Sequence, residues 1–181
     1  MKRLDLGCGK SYRKLEEFKI NIGQTENYGL DLIDHGLQNF VQCDLFTENI
    51  PYEDDSFNIV TAFDFIEHVP RILYFNQKIK FSFIDLMSEI YRVLKTDGLF
   101  FASYPEFKDP KLFFLDPTHV NPCSFDMFNV YFCSDLTKTP SDPWAKHFYN
   151  FKGCFEITIK HIFIPDSVNL PKSEFICLKK I

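Results

Sequence analysis

Glycine is scarce in this sequence. Only 7 of the 181 residues are glycine, about half of the average usage of roughly 7%. Glycine serves where a backbone must turn sharply or approach a ligand closely. In a chain with so few, we expect the closely spaced pair Gly7 and Gly9 to mark a binding loop.

Three further absences exclude other classes of protein. Lys and Arg number 20 against 25 Asp and Glu, so the net charge is −5, and the basic excess of a dedicated nucleic-acid binder is missing. No apolar run reaches the length of about 18 residues that spans a membrane, and the N-terminus has no apolar signal segment. The six cysteines are scattered without a C-x-x-C pair, which favours reduced thiols. These absences predict a cytoplasmic protein with no membrane and no nucleic acid among its main partners.

Phenylalanine, in contrast, is abundant, with 22 residues in the chain. Hydrophobic residues make up 45% and charged residues 25% of the sequence, which is the balance of an ordinary globular domain. Roughly 100–200 residues form one domain. We therefore predict a single domain over 1–181.

Hydrophobic patterning in the first third of the chain predicts several strands. Short strands are expected over 2–6, 28–33 and 40–44. The near-continuous apolar run over 57–63 is typical of a strand buried on both faces of a parallel sheet. Between the first two strands we expect at most a short helix, over 14–18.

The rest of the chain continues the alternation of helix and strand. Apolar residues at helical spacing over 83–94 predict one clear helix, which a buried strand over 99–104 follows. The segments 156–164 and 174–178 could pair as a hairpin around Pro165–Pro171. The pattern predicts an α/β fold with a mostly parallel central sheet and a C-terminal antiparallel hairpin.

The segment 106–150 differs from the rest because it holds five of the ten prolines, many aromatic residues and little periodicity. An irregular segment of this length in a compact domain is usually functional or disordered. Its aromatic content favours an ordered lid, which we expect to include Phe107, Phe113, Phe125 and Phe128.

The loop Gly7-Cys8-Gly9 directly follows the first predicted strand. Open α/β folds bind ligands at this end of the sheet. Two nucleotide-binding patterns fit the loop poorly. The dinucleotide fingerprint needs a third glycine where Tyr12 stands, and the phosphate-binding loop that would end at Gly9-Lys10-Ser11 needs a glycine where Leu4 stands.

Six segments in the expected order resemble motifs of the class I S-adenosylmethionine-dependent methyltransferases. They are LDLGCG at 4–9, YGLD at 28–31, VQCDL at 41–45, IPYEDDSFNIV at 50–60, DFIEHV at 64–69 and EIYRVLKTDG at 89–98. The resemblance covers roughly 3–105 and implies a Rossmann-like fold. It also implies S-adenosyl-L-methionine as cofactor and S-adenosyl-L-homocysteine as product.

The sequence departs from the family pattern in the first motif and just after it. Ser11 replaces the third glycine, and the short segment before the second strand implies a reduced first crossover helix. A small bacterial-type subgroup shares an E-H-V segment and a later D-P-T-H segment, which Asp116-Pro117-Thr118-His119 matches. Within the single domain, we expect a cofactor-binding half over 1–105, a substrate lid over 106–150 and C-terminal strands over 151–181.

The resemblance implies a cofactor crevice at the carboxyl edge of the sheet. Asp31 would accept hydrogen bonds from the ribose hydroxyls, and Asp44 would accept one from the adenine amino group. Cys8 is expected to be a small residue against the cofactor and not a nucleophile, although a nearby helix N-terminus could lower its pKa. The residues expected to bind the cofactor are Asp5, Gly7, Cys8, Gly9, Asp31, Leu32, Asp44, Leu45, Phe63 and Asp64.

Two histidines are candidate catalytic residues. An acceptor hydroxyl or amine that loses a proton benefits from a general base, and His119 is the first candidate because it lies in the D-P-T-H segment. His119 could instead pack beneath a turn capped by Asp116 and Thr118. His68 is the second candidate, or it could begin a helix that braces the cofactor loop. Asp116 and the two histidines could together bind a metal, but this spacing is a weak signal and we predict none.

The predicted function is methyl transfer to a small-molecule or sugar-like hydroxyl, or to an amine. One alternative is a methyltransferase that acts on a protein or nucleic acid, against which the missing basic stripe counts. Two others are a non-catalytic S-adenosylmethionine-binding or assembly protein and a phosphate-loop nucleotidase. The sequence carries no signal for an oligomeric state.

Overall fold

The computed structural model describes residues 1–106, 113–134, 141–163 and 173–181, which contain nine strands and three α-helices. The strands are β1 (Lys2–Leu6), β2 (Glu26–Asp31), β3 (Phe40–Gln42), β4 (Phe57–Phe63), β5 (Leu73–Phe75), β6 (Lys78–Lys80), β7 (Leu94–Pro105), β8 (Phe155–Phe163) and β9 (Ser173–Lys180). The α-helices are α1 (Ser82–Val93), α2 (Phe125–Phe132) and α3 (Trp144–Tyr149). Two short 3-10 helices cover Leu15–Phe18 and Ile66–His68.

Seven strands form one sheet in the order β3-β2-β1-β4-β7-β9-β8. The first five of these run parallel to one another, whereas β9 and β8 are each antiparallel to the preceding neighbour. The predicted parallel sheet with a C-terminal antiparallel hairpin is confirmed, while its turn at 165–171 lies outside the described residues. Because β2 and β4 flank β1 on opposite sides, the sheet has a topological switch point at the carboxyl end of β1.

Two predicted strands end earlier than expected because an aspartate turns the chain. The second strand stops at Asp31 instead of residue 33, and the Asp31 Oδ1 atom accepts a hydrogen bond from the backbone N–H of Ile33 at 3.2 Å. The third strand stops at Gln42 instead of residue 44, just before Asp44, whose Oδ1 atom accepts from the backbone N–H of Phe46 at 3.0 Å. In both places a short acid supports a turn of the kind these residues favour.

The helix α1 is confirmed within one residue of its predicted bounds, and its apolar stripe packs on the sheet. Its buried residues include Phe83, Met87 and Ile90. The strand β7 begins at Leu94, directly after the helix, and not at residue 99 as predicted. Leu94 pairs with Phe57 of β4, and the register of the two strands then shifts between Phe57 and Ile59.

The aromatic residues of α2 pack with the buried residues of α1 in the main core, on one face of the sheet. Phe128 and Phe132 are fully buried, and the Phe128 ring lies 6.1 Å from Phe83 and 5.6 Å from Tyr104. Ser124 caps the helix, since its Oγ atom accepts a hydrogen bond from the Met127 N–H at 3.2 Å. Phe125 also packs against the core, and Phe107 lies outside the described residues.

The opposite face of the sheet has a much thinner cover. Leu15, Phe18 and Ile20 pack there, with the Phe18 ring stacked on Phe63 at 4.0 Å. The short helix predicted over 14–18 is confirmed as a 3-10 helix. A few apolar residues therefore stand where a full crossover helix would otherwise cover the sheet.

The strands β5 and β6 form a separate hairpin that the sequence did not predict. Its two turn residues, Asn76 and Gln77, both have positive φ angles, as a two-residue hairpin turn requires. Among the described residues, no helix has the length and apolar character needed to cross a membrane.

Candidate active site

The loop that follows β1 is fastened to the end of β2. The backbone N–H groups of Gly7 and Cys8 donate to the Leu30 carbonyl at 2.8 and 3.2 Å. The N–H of Gly9 donates to Asp31 Oδ2 at 2.9 Å. Gly9 has a φ of +59°, and a Cβ atom placed on it would meet nothing within 4 Å. The loop therefore leaves open space in front of the Gly9 backbone, where a ligand can approach closely.

Asp31 is suited to hold a diol beside this loop. Each of its oxygens accepts one backbone hydrogen bond, from Gly9 and from Ile33. A carboxylate oxygen can accept two, so each retains capacity for a hydroxyl donor. The half-buried position of Asp31 at the carboxyl end of β2 fits the role that the family resemblance implies.

Gly7 has a different neighbour from Gly9. A Cβ atom on Gly7 would lie 2.3 Å from Cδ2 of Phe65, and the residue has a φ of +64°. The structure therefore needs glycine here so that Phe65 can pack on the loop, because any side chain would overlap its ring. The Phe65 ring in turn stacks near Phe46 at 6.4 Å.

Asp44 and its neighbour serve the local turn and the core. Besides the bond from Phe46, Asp44 Oδ2 accepts from the Thr47 hydroxyl at 2.6 Å. Leu45 is buried in the main core, whereas Leu32, after β2, is about half exposed. Both carboxylate oxygens of Asp44 therefore already accept hydrogen bonds within the turn, so the expected adenine contact would need a second bond to one of them.

Asp5 lies in a buried polar network beneath the glycine loop. Arg3 donates to Asp5 Oδ2 at 3.0 Å, and the Thr61 hydroxyl donates to Asp5 Oδ1 at 2.6 Å. The same guanidinium donates to the backbone carbonyl of Arg13 at 2.7 Å. Burial raises the pKa of Asp5, and the neighbouring Arg3 charge opposes that effect. The contacts describe a brace that ties the segment after the loop to β1 and β4.

Burial also changes the expectation for Cys8. The pKa of its thiol is raised to about 12, first by burial and then by the nearby charges of Asp5 and Asp31. The lowering by a helix N-terminus that the sequence suggested is therefore wrong. Cys8 acts as a small buried residue, with its sulfur 2.7 Å from where a Cβ atom on Gly29 would lie.

The two candidate residues at the end of β4, Phe63 and Asp64, differ in burial. The Phe63 side chain is buried on the thinly covered face of the sheet, so only its backbone can contact the crevice. Asp64 is partly exposed and adopts a left-handed φ of +51°. Its Oδ1 atom accepts from the Ser103 hydroxyl at 2.9 Å, and its Oδ2 atom lies 3.2 Å from the Arg13 guanidinium.

His68 and His119 lie side by side, with ring centroids 4.8 Å apart. The segment that carries His119 is held against the 3-10 helix Ile66–His68. The backbone N–H groups of Val120 and Asn121 both donate to the Glu67 carbonyl at 2.9 Å, and Asn121 Nδ2 donates to the Ile66 carbonyl at 3.0 Å. The fold thus brings together two predicted candidates that are 51 residues apart in the sequence.

The hydrogen bonds define which ring nitrogen of each histidine carries the proton. Thr118 Oγ1 lies 2.6 Å from Asp116 Oδ1 and 2.9 Å from His68 Nδ1. Because the hydroxyl gives its single proton to the carboxylate, His68 Nδ1 must donate to Thr118. His119 Nδ1 lies 2.8 Å from the Phe113 carbonyl, which can only accept. In the neutral form, each histidine therefore keeps a lone pair on Nε2.

Glu67 completes this group, although sequence reasoning assigned it no role beyond its place in a matched motif. It is only 1% exposed, and its Oε1 atom lies 4.0 Å from His119 Nε2. Its Oε2 atom is buried without a hydrogen-bond partner. Burial raises the pKa of Glu67 to about 8, and the charges of Asp64 and Asp116 add to the effect. Burial also lowers the pKa of His68, as does the adjacent His119.

A cavity of about 580 Å³ opens in front of these side chains. Glu67, His68 and His119 line it together with Asp64 and Asp116. Because Asp64 follows β4, the neighbour of β1, the cavity lies at the same edge of the sheet as the glycine loop.

Comparison with known proteins decides the family. The family model described as a methyltransferase domain matches residues 1–162. The chain belongs to this methyltransferase family. The resemblance to the methyltransferase family drawn from the sequence is therefore confirmed, and the protein is an enzyme that transfers methyl groups. No curated protein matches the methyltransferase significantly.

Solved structures share the fold of this methyltransferase. The YcgJ protein from Bacillus subtilis has a TM-score of 0.58 and 18% identity, over 99% of this chain and 91% of its own. A SAM-dependent methyltransferase from Archaeoglobus fulgidus has a TM-score of 0.58 and 18% identity, over 99% and 86%. One from Methanosarcina mazei has a TM-score of 0.57 and 16% identity, over 99% and 92%. Identities this low show the fold alone, and the predicted Rossmann-like methyltransferase fold is confirmed.

Proposed function

We propose that this methyltransferase transfers a methyl group from S-adenosylmethionine to a hydroxyl or amine of a small molecule. The observation that carries the proposal is the pair of imidazoles, His68 and His119, at a cavity on the same edge of the sheet as the glycine loop. Each imidazole has its Nδ1 atom engaged and its Nε2 lone pair free to accept a proton.

The methyl donor is S-adenosylmethionine, which the family assignment supports. It supplies a methyl group on a sulfonium, which leaves as a neutral thioether. The open space before Gly9 and the free acceptor capacity of Asp31 fit this molecule. We infer that the Gly9 backbone allows its close approach and that Asp31 accepts from its ribose hydroxyls.

The size and charge of the cavity support a small acceptor. Pockets of roughly 300–1,000 Å³ hold small molecules, and this cavity measures about 580 Å³. The charges of its residues Asp64 and Asp116, in a chain of net charge −5, would repel a phosphate backbone. An uncharged hydroxyl or an amine meets no such repulsion.

His119 is the proposed general base. As the methyl group bonds to the acceptor oxygen or nitrogen, the acceptor gives its proton to His119 Nε2. Glu67 lies 4.0 Å from that atom, and above the raised pKa of about 8, where it is ionised, its carboxylate would stabilise the imidazolium that forms. The bond from Nδ1 to the Phe113 carbonyl holds the ring in this orientation, so the side chains need only align the reacting atoms and accept one proton.

Transfer of a labelled methyl group tests the proposal. Labelled S-adenosylmethionine is incubated with wild-type protein and with metabolite, protein and nucleic-acid fractions. We expect label in the metabolite fraction and equimolar S-adenosylhomocysteine. Label in the protein or nucleic-acid fraction would instead support a macromolecular acceptor. Binding of S-adenosylhomocysteine without turnover in any fraction would support a non-catalytic role.

A further inference from the structure

Glu67, His68 and His119 form a compact group of potential metal ligands. One ligand atom from each lies within 4.8 Å of the others. Two imidazole nitrogens with one carboxylate oxygen are a donor set that binds divalent transition metals and leaves coordination positions open. Three residues brought together from two separated segments thus present a recognised kind of site.

The surrounding hydrogen bonds orient both histidines as metal ligands are usually oriented. A ligating histidine typically donates its other ring N–H to a carbonyl or carboxylate, directly or through another group. His119 Nδ1 donates to the Phe113 carbonyl, and His68 Nδ1 donates to the Thr118 hydroxyl, which donates to Asp116. Both Nε2 lone pairs are consequently left available to an ion.

The Glu67 carboxylate supplies an independent observation. The residue is 1% exposed, yet Oε2 has no hydrogen-bond partner. A buried polar atom without a partner is costly and uncommon in native proteins. A cation bound beside this carboxylate would give Oε2 a partner.

We propose that Glu67, His68 and His119 bind one divalent transition-metal cation at the cavity. Metal–ligand bonds of about 2.0–2.2 Å place tetrahedral ligands roughly 3.4 Å apart, so small side-chain rotations must draw the group together. Nitrogen donors favour Zn²⁺, Co²⁺ or Fe²⁺ over Ca²⁺. The ion is expected to keep open positions toward the cavity.

The open positions suit an acceptor that carries an oxygen or nitrogen ligand, a consequence that rests on the proposed function. With the ion bound, His119 Nε2 would coordinate it and could not also act as the general base of the proposed function. The ion would instead lower the pKa of the acceptor hydroxyl, whose proton would pass to water. Binding of the ion itself requires no methyl transfer.

Titration with cobalt tests the site directly. Protein treated with a chelator and dialysed is titrated with CoCl₂, and bound Co²⁺ is followed by visible absorption and calorimetry. We expect saturable binding of one Co²⁺ per chain. Glu67→Gln and His119→Ala should each weaken binding by at least tenfold. His35→Ala, at an exposed histidine, should bind like wild type.

Thr118→Val gives a second variant, because Thr118 is exposed and its loss should not prevent folding. Removing such an outer partner typically weakens metal binding by about 10–100-fold, and we expect a loss in that range. No saturable Co²⁺ binding by wild type, or equal affinity in wild type and His119→Ala, would overturn the inference.

The result is separable from the proposed function. Co²⁺ binding with no methyl transfer to any fraction would refute the proposed function and leave the metal site standing. Full methyl transfer by chelated protein that binds no Co²⁺ would refute the metal site alone.

Discussion

Asp31 accepts a hydrogen bond from the backbone N–H of Gly9 at 2.9 Å, although 22 positions separate the two residues. The contact joins the loop after β1 to the end of β2, so one carboxylate both holds the loop and remains available to a ligand. The family resemblance named these residues separately. Their direct bond makes the shape of the loop depend on Asp31.

Asp31→Ala should weaken binding of S-adenosylhomocysteine by at least roughly tenfold. The variant loses charge-assisted hydrogen bonds to the ribose, worth about 1.5–3 kcal/mol, and also the anchor of Gly9. Calorimetric titration measures the affinity. The exposed Asp34 provides the matched control, since Asp34→Ala removes the same charge three residues away. Equal affinities in wild type and Asp31→Ala would remove Asp31 from the site.

Two glycine substitutions should act in different ways. Gly9→Ala adds a Cβ atom to open space and should lower the free energy of unfolding by roughly 1 kcal/mol, because the backbone is left-handed. Its affinity for S-adenosylhomocysteine should fall about tenfold, because the added methyl group enters the crevice. Gly7→Ala places its Cβ atom 2.3 Å from Phe65 and should cost more stability. Denaturant unfolding and calorimetry separate the two effects. Full affinity in a folded Gly9→Ala variant would place the cofactor elsewhere.

His119→Ala should reduce turnover by about 100-fold or more, the range for loss of a general base. The affinity for S-adenosylhomocysteine should stay near wild type, because His119 lies at the cavity and not at the glycine loop. Steady-state rates with a verified acceptor provide the measurement, and His35→Ala is the control. Undiminished turnover in His119→Ala would make this histidine structural.

Asp5→Asn should lower the free energy of unfolding by about 3 kcal/mol, because it leaves the buried Arg3 charge without its partner. Both side chains are nearly inaccessible, at 3% and 2% exposure, so solvent cannot compensate. Urea unfolding measures the change. Glu53→Gln, at an exposed acid, should change stability by less than about 0.5 kcal/mol. If Asp5→Asn lowered the free energy of unfolding by less than about 0.5 kcal/mol, as expected for Glu53→Gln, the bracing role would be contradicted.

The cysteines should react slowly in the folded protein, with one exception. Five of the six are buried, while Cys154 is partly accessible. Burial raises the pKa of Cys8 and Cys43 to about 12, so only about one in 10,000 of each is thiolate at pH 8. A thiol reagent such as dithionitrobenzoate should modify about one cysteine quickly and all six after denaturation. Cys154→Ser should abolish the fast phase, and rapid modification of Cys8 would contradict its burial.

Local patterns predicted the sheet and the main helix well. The run over 57–63 and the helical spacing over 83–94 match β4 and α1 within one residue, because long apolar patterns leave few alternative structures. Boundaries set by single side chains were missed, as at Asp31, where a turn ends β2. The helix α2 was missed because its aromatic residues and nearby prolines obscure the helical period.

The group around Glu67 shows what local patterns could not predict. His68 and His119 were candidates from their motifs, but their contact depends on backbone hydrogen bonds from Val120 and Asn121 to the Glu67 carbonyl. The sequence signals were the E-H pair and the D-P-T-H segment, whose Thr118 binds His68. Neither pattern states that the two segments meet or that the acid between them is buried.

The sequence by itself determined the family, the parallel sheet and the importance of the glycine loop, because those properties follow from short motifs and local periodicity. Only the tertiary structure decided which side chains share the cavity, which acids already have partners, and which phenylalanines fill the core. Those outcomes depend on burial and on contacts between distant segments. The scarce glycines illustrate both levels, since motif position marks Gly7 and Gly9 alike, while the fold presses Phe65 against the first and leaves the second open.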